Sequence, residues 1–264
     1  MPEGHTVHRN ANDFNKLFAG EAVIIDSPQG RFTFESKKIS GQVLLRARAI
    51  GKQLFLEFEN GLTLRIHLGI YGKWALHAPG QYPDVVGEVR ARFKSSKAIA
   101  ELRGPTVCEV IEPAEVKAVE RRLGPDPLNP DPRGKQQERF VTKVLGSTLT
   151  IGQLLMNQEV VAGIGNVYRA ELLFRAKIEP HTPGNRLPRE LVEALWQDAV
   201  KLLRVGVKTS FMITRDELFT KRPSKADRNW VYKRNGEPCR ECHTEISLEL
   251  MNSRKLYWCP VCQK

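Results

Sequence analysis

The sequence predicts an α+β protein of several domains: an N-terminal helix and a two-sheet β-sandwich or barrel, then a helical domain, then a small metal-binding hairpin. Short β-rich segments separated by turn residues fill residues 22–112, and beyond residue 134 apolar residues recur at helical spacing. Two Cys-x-x-Cys pairs lie in the final 36 residues, 229–264. Together these three observations indicate a mixed architecture rather than one continuous sheet or bundle.

The composition is that of a globular protein. The chain has 264 residues, of which 41% are hydrophobic and 27% are charged, enough for one large domain or two ordinary ones. No apolar run is long enough for a signal peptide or a membrane-spanning helix. We therefore expect a cytoplasmic protein with no membrane partner.

The N-terminal half begins with an amphipathic helix over about residues 5–19, where Val7, Ala11, Phe14 and Leu17 share one face. Asn60-Gly61 is the strongest hairpin signal in the chain, because both residues tolerate positive φ. So many short strands at regular spacing predict a sandwich or flattened barrel. The predicted strands are 22–26, 43–50, 54–58, 62–68, 89–93, 98–102 and 106–111.

A proline-rich segment marks the domain boundary. A short helix is predicted from Pro113 to Leu123, and residues 124–132 then contain four prolines in nine positions. Helical periods follow over about 135–145, 150–157, 165–176 and 189–206, whereas 207–228 carries mixed signals typical of a loop. The predicted domains are 1–124, a linker over 125–134, 135–228, and the hairpin over 229–264.

The charge balance favours a polyanionic partner. Lysine and arginine outnumber aspartate and glutamate by 41 to 30, and residues 201–264 contain 14 basic and 7 acidic side chains, so +7 of the net +11 lies there. Nucleic acid is the first candidate for that partner and an anionic membrane surface the second.

The C-terminal cysteines have the spacing of a four-thiolate zinc site. The pairs Cys239–Cys242 and Cys259–Cys262 are separated by 16 residues, and each pair can form a knuckle that offers two sulfurs to a tetrahedron. Disulfides are the alternative, but no secretion signal supports an oxidising compartment. We expect one structural zinc ion per chain. Cys108 is predicted to be a buried strand thiol.

The N-terminus has the chemistry of an amine nucleophile. Removal of Met1 before a small residue would make Pro2 the first residue, with an α-amino group that titrates near ~7.7–8.0 and can attack an aldehyde-like carbon. Glu3 adds a carboxyl group that could donate or accept a proton. The alternative is an ordinary frayed terminus.

Three weaker patterns remain. Gly163-Ile164-Gly165-Asn166 precedes a helix whose N-terminus could hold an anion, although a simple turn has the same sequence. Arg254 in the hairpin could bind a phosphate bidentately, or be one more exposed arginine. Lys52 follows Gly51 before a strand, where a lysine is usually only a solvated turn residue. Ile70 and Tyr71 lie on a glycine-flanked turn and could pack, or wedge between base pairs.

Taken together, these segments closely resemble the formamidopyrimidine-DNA glycosylase and endonuclease VIII family of base-excision repair enzymes. The resemblance runs nearly end to end, through PEG, GKQLFLEF, HLGIYG, IGQLLMNQEVVAGIGNVYRAELLF and the cysteine hairpin VYKRNGEPCREC…NSRKLYWCPVCQ. It implies a two-sheet β domain, a helix–two-turn–helix domain and a zinc hairpin. It also implies a monomer of the bacterial cytoplasm or nucleoid whose partner is damaged, double-stranded DNA.

The resemblance implies a role for each candidate residue. Pro2 would be the nucleophile, Glu3 the acid/base residue and Lys52 the catalytic lysine of the β domain. Asn166 and Arg254 would bind the phosphodiester near the lesion. Ile70 and Tyr71 would fill the gap left by the extruded base.

Two departures from the family pattern bear on the substrate. Members specific for oxidised purines usually carry an arginine–phenylalanine pair on a strand loop, and the comparable stretch here, 102–106, contains no phenylalanine. The turn HLGIYG mixes the patterns of the two subfamilies, and its Tyr71 is more similar to endonuclease VIII. We therefore expect a preference for oxidised pyrimidines. The alternatives are an oxidised-purine glycosylase, a non-catalytic DNA-binding zinc protein and an RNA-binding zinc-ribbon protein.

Overall fold

The computed structural model describes residues 2–81 and 84–264, and the chain divides into two units, one ending at Arg122 and the other beginning at Leu123. The first unit contains α1 (Gly4–Leu17), β1 (Ile24–Asp26), α2 (Thr33–Ile39), β2 (Leu44–Ile50), β3 (Gln53–Phe58), β4 (Thr63–His67), β5 (Lys73–His77), β6 (Val89–Lys94), β7 (Ile99–Arg103), β8 (Val107–Ile111) and α3 (Pro113–Arg122). The second contains α4 (Lys135–Leu145), α5 (Ile151–Leu154), α6 (Asn166–Arg175), α7 (Arg189–Thr209), β9 (Ser247–Met251) and β10 (Arg254–Trp258).

The first unit is built from two antiparallel sheets of four strands, in the orders β1-β6-β7-β5 and β2-β3-β4-β8. Their apolar residues contribute to one hydrophobic core together with those of α1. This arrangement confirms the predicted two-sheet architecture. The hairpin at Asn60-Gly61 forms with a three-residue loop, because Phe58 N–H donates to Leu62 O (3.0 Å) and Gly61 takes the positive φ (+83°).

Helix α1 is fixed to the first unit along most of its length. Its apolar face, including Phe14, is buried, and the Phe14 ring lies 4.7 Å from the Trp74 ring, centroid to centroid. The side chain of Asn15 both accepts from Ala47 N–H and donates to Ala47 O, each at 2.7 Å. A side-chain amide that pairs with both backbone groups of one strand residue fixes the helix against β2.

Two elements of the first unit, α2 and β5, were not predicted from the sequence. Helix α2 has only seven residues, too few for a helical period to be recognised, and two of them, Ser36 and Ile39, are buried. Strand β5 lies at the edge of its sheet and has no fully buried residue, so its sequence lacks the alternation of a half-buried strand.

The helices of the second unit enclose a second core, with most apolar residues contributed by α4, α6 and α7. Helix α5 is shorter than predicted, and Thr150 and Gln153 form a capping box at its start. Part of the proline-rich segment is packed: residues 124–127 are buried, and Ala162 N–H donates to Pro125 O (2.9 Å).

Strands β9 and β10 form the C-terminal hairpin. Met251 pairs with Arg254, so Asn252 and Ser253 alone make the turn, and both have positive φ (+49° and +60°). Two left-handed residues in a two-residue loop are the mark of a type I′ turn, whose twist matches that of the strands. None of the helices in the described ranges is both long and apolar enough to cross a bilayer.

Candidate active site and metal centre

The N-terminal residues belong to a packed element. Glu3 is fully buried and immediately precedes α1, and its carbonyl oxygen accepts the Thr6 N–H at 2.9 Å. Gly4 and His5 are buried as well, and Pro2 is half-buried. The Pro2 nitrogen and the Glu3 carboxyl group are therefore held at the start of an anchored helix, unlike those of a frayed terminus.

His5 adds a neutral imidazole next to these groups. Burial lowers the pKa of His5 from 6.5 to about 4, and the positive charges of the chain's terminal ammonium and of Arg9 act in the same direction. The imidazole is thus uncharged at neutral pH and adds no positive charge beside the terminal amine.

We expect His5 to make the first unit sensitive to acid. The unfolded chain gains a proton near pH 6.5, but the folded chain does so only near pH 4, so stability falls as pH drops through that window, by about 1.4 kcal/mol per pH unit. Chemical unfolding of His5→Gln should show a correspondingly shallower loss between these pH values. Parallel pH profiles for the two proteins would contradict the assignment.

Lys52 lies at the tip of the β2–β3 hairpin. Ile50 pairs with Gln53, so Gly51 and Lys52 alone form the loop, and Gly51 takes the positive φ (+57°) that it requires. The pKa of His67, opposite Gln53 on β4, is lowered by burial and then by the charge of Lys52. The charge of the Lys52 ammonium group therefore reaches His67 at the end of β4.

That turn, Leu68–Gly72, presents two apolar side chains to solvent. Gly72 N–H donates to Leu68 O (2.9 Å), which closes the turn. A Cβ on Gly69 would lie 1.9 Å from Thr106 Oγ1, and one on Gly72 would lie 2.2 Å from Leu68 O, so neither position accepts a side chain. Between them Ile70 is 46% and Tyr71 85% exposed. The sequence alone left packing possible for these two residues, but they project from the surface.

Four cysteine thiols converge beside the C-terminal hairpin. The Sγ atoms of Cys239, Cys242, Cys259 and Cys262 all lie within 4.8 Å of one another. The Cys239–Cys262 and Cys242–Cys259 Sγ separations are 3.9 and 3.4 Å, close to the edge of about 3.8 Å of a tetrahedron with metal–sulfur bonds of ~2.3 Å. The donor set and its spacing fit one metal ion with no open coordination position.

The last residues secure this cysteine cluster. The amide of Gln263, 1% exposed, accepts from Cys259 N–H (2.9 Å) and donates to Ile178 O (3.0 Å) in the segment after α6. Backbone N–H groups of Glu241 and Cys262 point at the sulfurs of Cys239 and Cys259, at 3.5 Å each. Such donors stabilise thiolates and orient them.

Arg254 stands at the tip of the hairpin, directly after the turn, and is exposed. Among the residues that the structure describes, no carboxylate pairs with it, so its guanidinium is available to an external anion. The next residue, Lys255, is held through its backbone: its carbonyl accepts from Asn166 Nδ2 (2.7 Å) and from Arg169 (3.1 Å). Asn166 Oδ1 in turn accepts from Arg169 at 2.5 Å. Asn166 thus fixes the strand that carries Arg254.

Glu171 joins α6 to the segment that leads into the hairpin. Its carboxylate is fully buried and accepts the backbone N–H groups of Trp230 (2.7 Å), Val231 (2.9 Å) and Tyr232 (2.7 Å), as well as the hydroxyl of Thr214. No motif drew attention to Glu171, although a carboxylate among the apolar residues of NVYRAELLF could have done so.

Glu171→Gln should destabilise the second unit by about 3 kcal/mol, since the amide NH₂ would face backbone N–H groups that a carboxylate satisfies. Urea unfolding measures the effect. Glu245→Gln, which makes the same charge change at an exposed hairpin position, should change stability by less than about 0.5 kcal/mol. Equal stability of the two variants would refute the role given to Glu171.

A basic cavity of about 670 Å³ borders the end of α7, where the sequence indicated only a loop region. Its lining includes Lys208, Lys221, Arg222 and Arg228. The guanidinium of Arg228 lies 3.9 Å from the centroid of the Phe211 ring. Cations beside an aromatic ring suit a phosphate and a planar base.

The predicted site residues are thus divided between the units. The first holds Pro2, Glu3, Lys52, Ile70 and Tyr71, and the second holds Asn166, Arg254 and the four cysteines. Arg169, Glu171 and Gln263 were missed, because their importance arises from hydrogen bonds to residues distant in sequence.

Comparisons with known proteins cover the whole chain. The model of the formamidopyrimidine-DNA glycosylase N-terminal domain matches residues 1–107, and that of the formamidopyrimidine-DNA glycosylase H2TH domain matches residues 123–217. Endonuclease 8 1 of Mycobacterium tuberculosis is 44% identical over 270 residues, with 100% of both chains covered. Endonuclease 8 of Escherichia coli is 28% identical over 269 residues, again with 100% of both covered.

Solved structures show the same fold. Fpg of Lactococcus lactis in complex with DNA containing N7-benzyl-Fapy-dG superposes with a TM-score of 0.81 at 26% identity, over 100% of both chains. The complex of Lactococcus lactis Fpg with abasic-site DNA gives 0.81 at 26% identity, over 99% of both chains.

Proposed function

The chain belongs to the formamidopyrimidine-DNA glycosylase and endonuclease VIII family of base-excision repair enzymes, and from that premise we propose that it excises oxidised pyrimidines from duplex DNA and then cleaves the strand. It is a DNA glycosylase and AP lyase. The observation that carries the proposed mechanism is the anchored start of α1, where Pro2 precedes a fully buried Glu3. All the proposed site residues come from one chain, and we propose that the protein acts as a monomer.

The first chemical step is attack by the Pro2 nitrogen. With Met1 removed, that nitrogen is a secondary amine, part of which is unprotonated at neutral pH. A base inside a duplex is out of reach, so the nucleotide is first flipped out at a cost of a few kcal/mol, which is lowest at a damaged pair. The nitrogen then bonds to C1′ and loses its proton, while the bond from C1′ to the damaged base breaks. The C1′–O4′ bond of the sugar ring then opens to give an iminium, and Glu3 supplies a proton to the sugar oxygen or the base.

Strand cleavage follows from the charge of the intermediate. A secondary amine can form only a cationic iminium at C1′, which acidifies the neighbouring C2′ proton. Loss of that proton expels the 3′ phosphate, and a second elimination can release the 5′ side. Hydrolysis of the iminium then frees Pro2, so the cycle needs no redox partner.

The basic groups hold the DNA backbone. Arg254 is a proposed phosphate ligand, because its guanidinium fork is exposed at the tip of the hairpin. Lys52, at the tip of the tight β2–β3 hairpin, is the proposed catalytic lysine of the first unit. Asn166 has one further N–H to offer a phosphate while it holds Lys255. The net charge of +11 supplies the sequence-independent attraction.

We propose zinc as the ion of the four-cysteine site. Four thiolates in tetrahedral spacing are typical of structural zinc, and the closed site gives the metal no part in the chemistry. Its role is to hold the hairpin in shape, since the apolar cluster around the cysteines is small.

Ile70 and Tyr71 are the proposed wedge that fills the space vacated by the flipped nucleotide. Tyr71→Ala should weaken binding to duplex DNA with an abasic-site analogue about tenfold, given the ~1–3 kcal/mol of an aromatic–base stack. Fluorescence anisotropy measures this. Phe34→Ala is the control, since Phe34 is an aromatic side chain of the same unit that is 72% exposed on α2, and it should leave affinity unchanged. An equal loss in both variants would remove the wedge role.

The pyrimidine preference rests on the β7–β8 loop and on the endonuclease 8 relatives. Only Gly104, Pro105 and Thr106 connect those strands, and Thr106 lies directly against Gly69. This short, tethered loop has no aromatic side chain to insert. The second candidate, an oxidised-purine glycosylase, is favoured by the fold match to Fpg complexes with Fapy-dG DNA.

A panel of duplexes that carry thymine glycol, dihydrouracil, 8-oxoguanine or an abasic site separates the two candidates. Single-turnover cleavage should be fastest at the abasic site and faster at both pyrimidine lesions than at 8-oxoguanine. The reverse order among the three base lesions would select the purine enzyme, and binding without cleavage of any duplex would select a non-catalytic DNA-binding protein.

A further inference from the structure

His181 lies between two carboxylates that come from different parts of the second unit. Its Nδ1 is 2.7 Å from Oε1 of Glu179, and its Nε2 is 2.6 Å from Oε1 of Glu249. Glu179 belongs to the same loop after α6, and Glu249 lies in the middle of β9. The imidazole therefore links the helical part of the unit to the hairpin that carries Arg254.

The protonation state of the imidazole decides whether this link is attractive. A neutral imidazole carries a proton on one nitrogen only, so the other would turn a lone pair towards a carboxylate oxygen. The imidazolium presents N–H groups on both sides. Oε1 of Glu249 is also shielded from solvent and accepts no hydrogen bond from the described residues, so its 2.6 Å approach to Nε2 is an ion pair. Burial raises the cost of leaving the charge of this carboxylate uncompensated. Among the described residues, the charged groups paired with the ring are Glu179 and Glu249, while β10 contributes the uncharged ring of Trp258, 5.7 Å away between centroids.

The loop that carries His181 is itself firmly held. Ile151 N–H donates to Thr182 O (2.9 Å), and Gly152 N–H donates to Pro180 O (3.0 Å), so the loop is fixed to the start of α5. The turn of the hairpin meets the same helix, because Gln153 Nε2 donates to Asn252 Oδ1 (3.2 Å). The imidazole thus connects β9, close to the turn of the hairpin, to a loop that is itself fixed to α5.

We propose that His181, Glu179 and Glu249 form a protonation-dependent clasp that positions the hairpin so that Arg254 meets a DNA phosphate. His181 is a positioning residue in this scheme and touches no DNA itself. The inference rests on the proposed phosphate contact of Arg254. It means that DNA affinity contains a component that disappears as the imidazole loses its proton.

Glu249→Gln tests the clasp through the sign of its effect. Removing a negative charge from a DNA-binding hairpin should by electrostatics alone strengthen binding. The clasp predicts the opposite, a weakening of roughly three- to tenfold for abasic-analogue duplex, measured by anisotropy at about pH 6. Glu245→Gln removes the same charge from an exposed hairpin position and should bind as tightly as wild type or more tightly. Tighter binding by Glu249→Gln overturns the proposal.

The pH profile gives a second, independent readout. Because histidine is the side chain that changes charge between about pH 5 and 8, wild-type affinity should fall more steeply over that range than the affinity of His181→Gln. In an Arg254→Ala background, His181→Gln should have no further effect. Parallel profiles of wild type and His181→Gln, or an undiminished effect without Arg254, refute the clasp.

Metal content separates the clasp from loss of the hairpin fold. Both clasp variants should retain one equivalent of metal. If either variant loses its metal, the pH dependence of DNA affinity is instead compared between wild type and Arg254→Ala. Equal pH dependence in these two proteins overturns the proposal. Arg254→Ala binding as tightly as wild type would instead disprove the proposed phosphate contact, an outcome distinct from failure of the clasp.

Discussion

Blocking the Pro2 nitrogen is expected to abolish both base excision and strand cleavage, by a factor on the order of 10³ or more. An N-terminal extension converts the amine into an amide, whose lone pair is delocalised and cannot attack C1′. A cleavable extension makes the test reversible: the extended protein should bind abasic duplex but form no borohydride-trapped adduct, and proteolysis to a free Pro2 should restore trapping. Intact mass measured beside activity identifies the species at each stage.

Pro2→Gly tests whether the nucleophile must be a secondary amine. Glycine would supply a primary amine, which gives a neutral imine that must capture a proton before it can acidify C2′, and it lacks the ring that restricts φ. Trapping and cleavage should therefore fall sharply while duplex affinity stays near wild type. Undiminished trapping by the glycine variant would exclude Pro2 as the nucleophile.

Loss of the metal is expected to have the second large effect. Cys259→Ser removes a fully buried ligand, and structural zinc in comparable small units contributes ~10–16 kcal/mol of apparent binding free energy that serves as folding free energy. The hairpin should unfold and release Arg254, so duplex affinity should fall about 100-fold or more. The slope of log affinity against log salt should shrink by about 0.9 for each phosphate that the variant no longer neutralises.

Cys108→Ser is the matched control for that substitution. Cys108 lies in β8 and is half-buried, so it is a strand thiol as predicted but is less buried than predicted. Its burial raises the pKa of the thiol to about 12, so it stays protonated and inert. This variant should keep one equivalent of metal and wild-type DNA affinity. The strands of the first unit should remain folded in Cys259→Ser, since their hydrophobic core is separate from the apolar cluster around the cysteines. Full DNA affinity in metal-free Cys259→Ser would contradict the role of the metal centre.

The elements that could be predicted correctly are those whose apolar period or residue spacing lies within one continuous stretch of sequence. Helices α1, α4, α6 and α7 have apolar periods long enough to stand out, and the cysteine spacing is a local property of two knuckles. The edge strand β5 and the short helix α2 were not predicted, because their own sequences lack a clear period. Pairing with a neighbouring strand forms β5, and a few buried side chains stabilise α2.

By itself the sequence determined the two-sheet domain, the helical domain, the four-cysteine hairpin and the family, because hydrophobic periods and motif spacings are written in consecutive residues. Only the tertiary structure decided how the proposed site residues are held. Gly69 is required because Thr106 occupies the space of a Cβ, and Lys255 is fixed by Asn166 from 89 residues away. Glu171 and His181 acquire their roles from partners on other elements. Such interactions depend on distances in space, which a linear pattern does not contain.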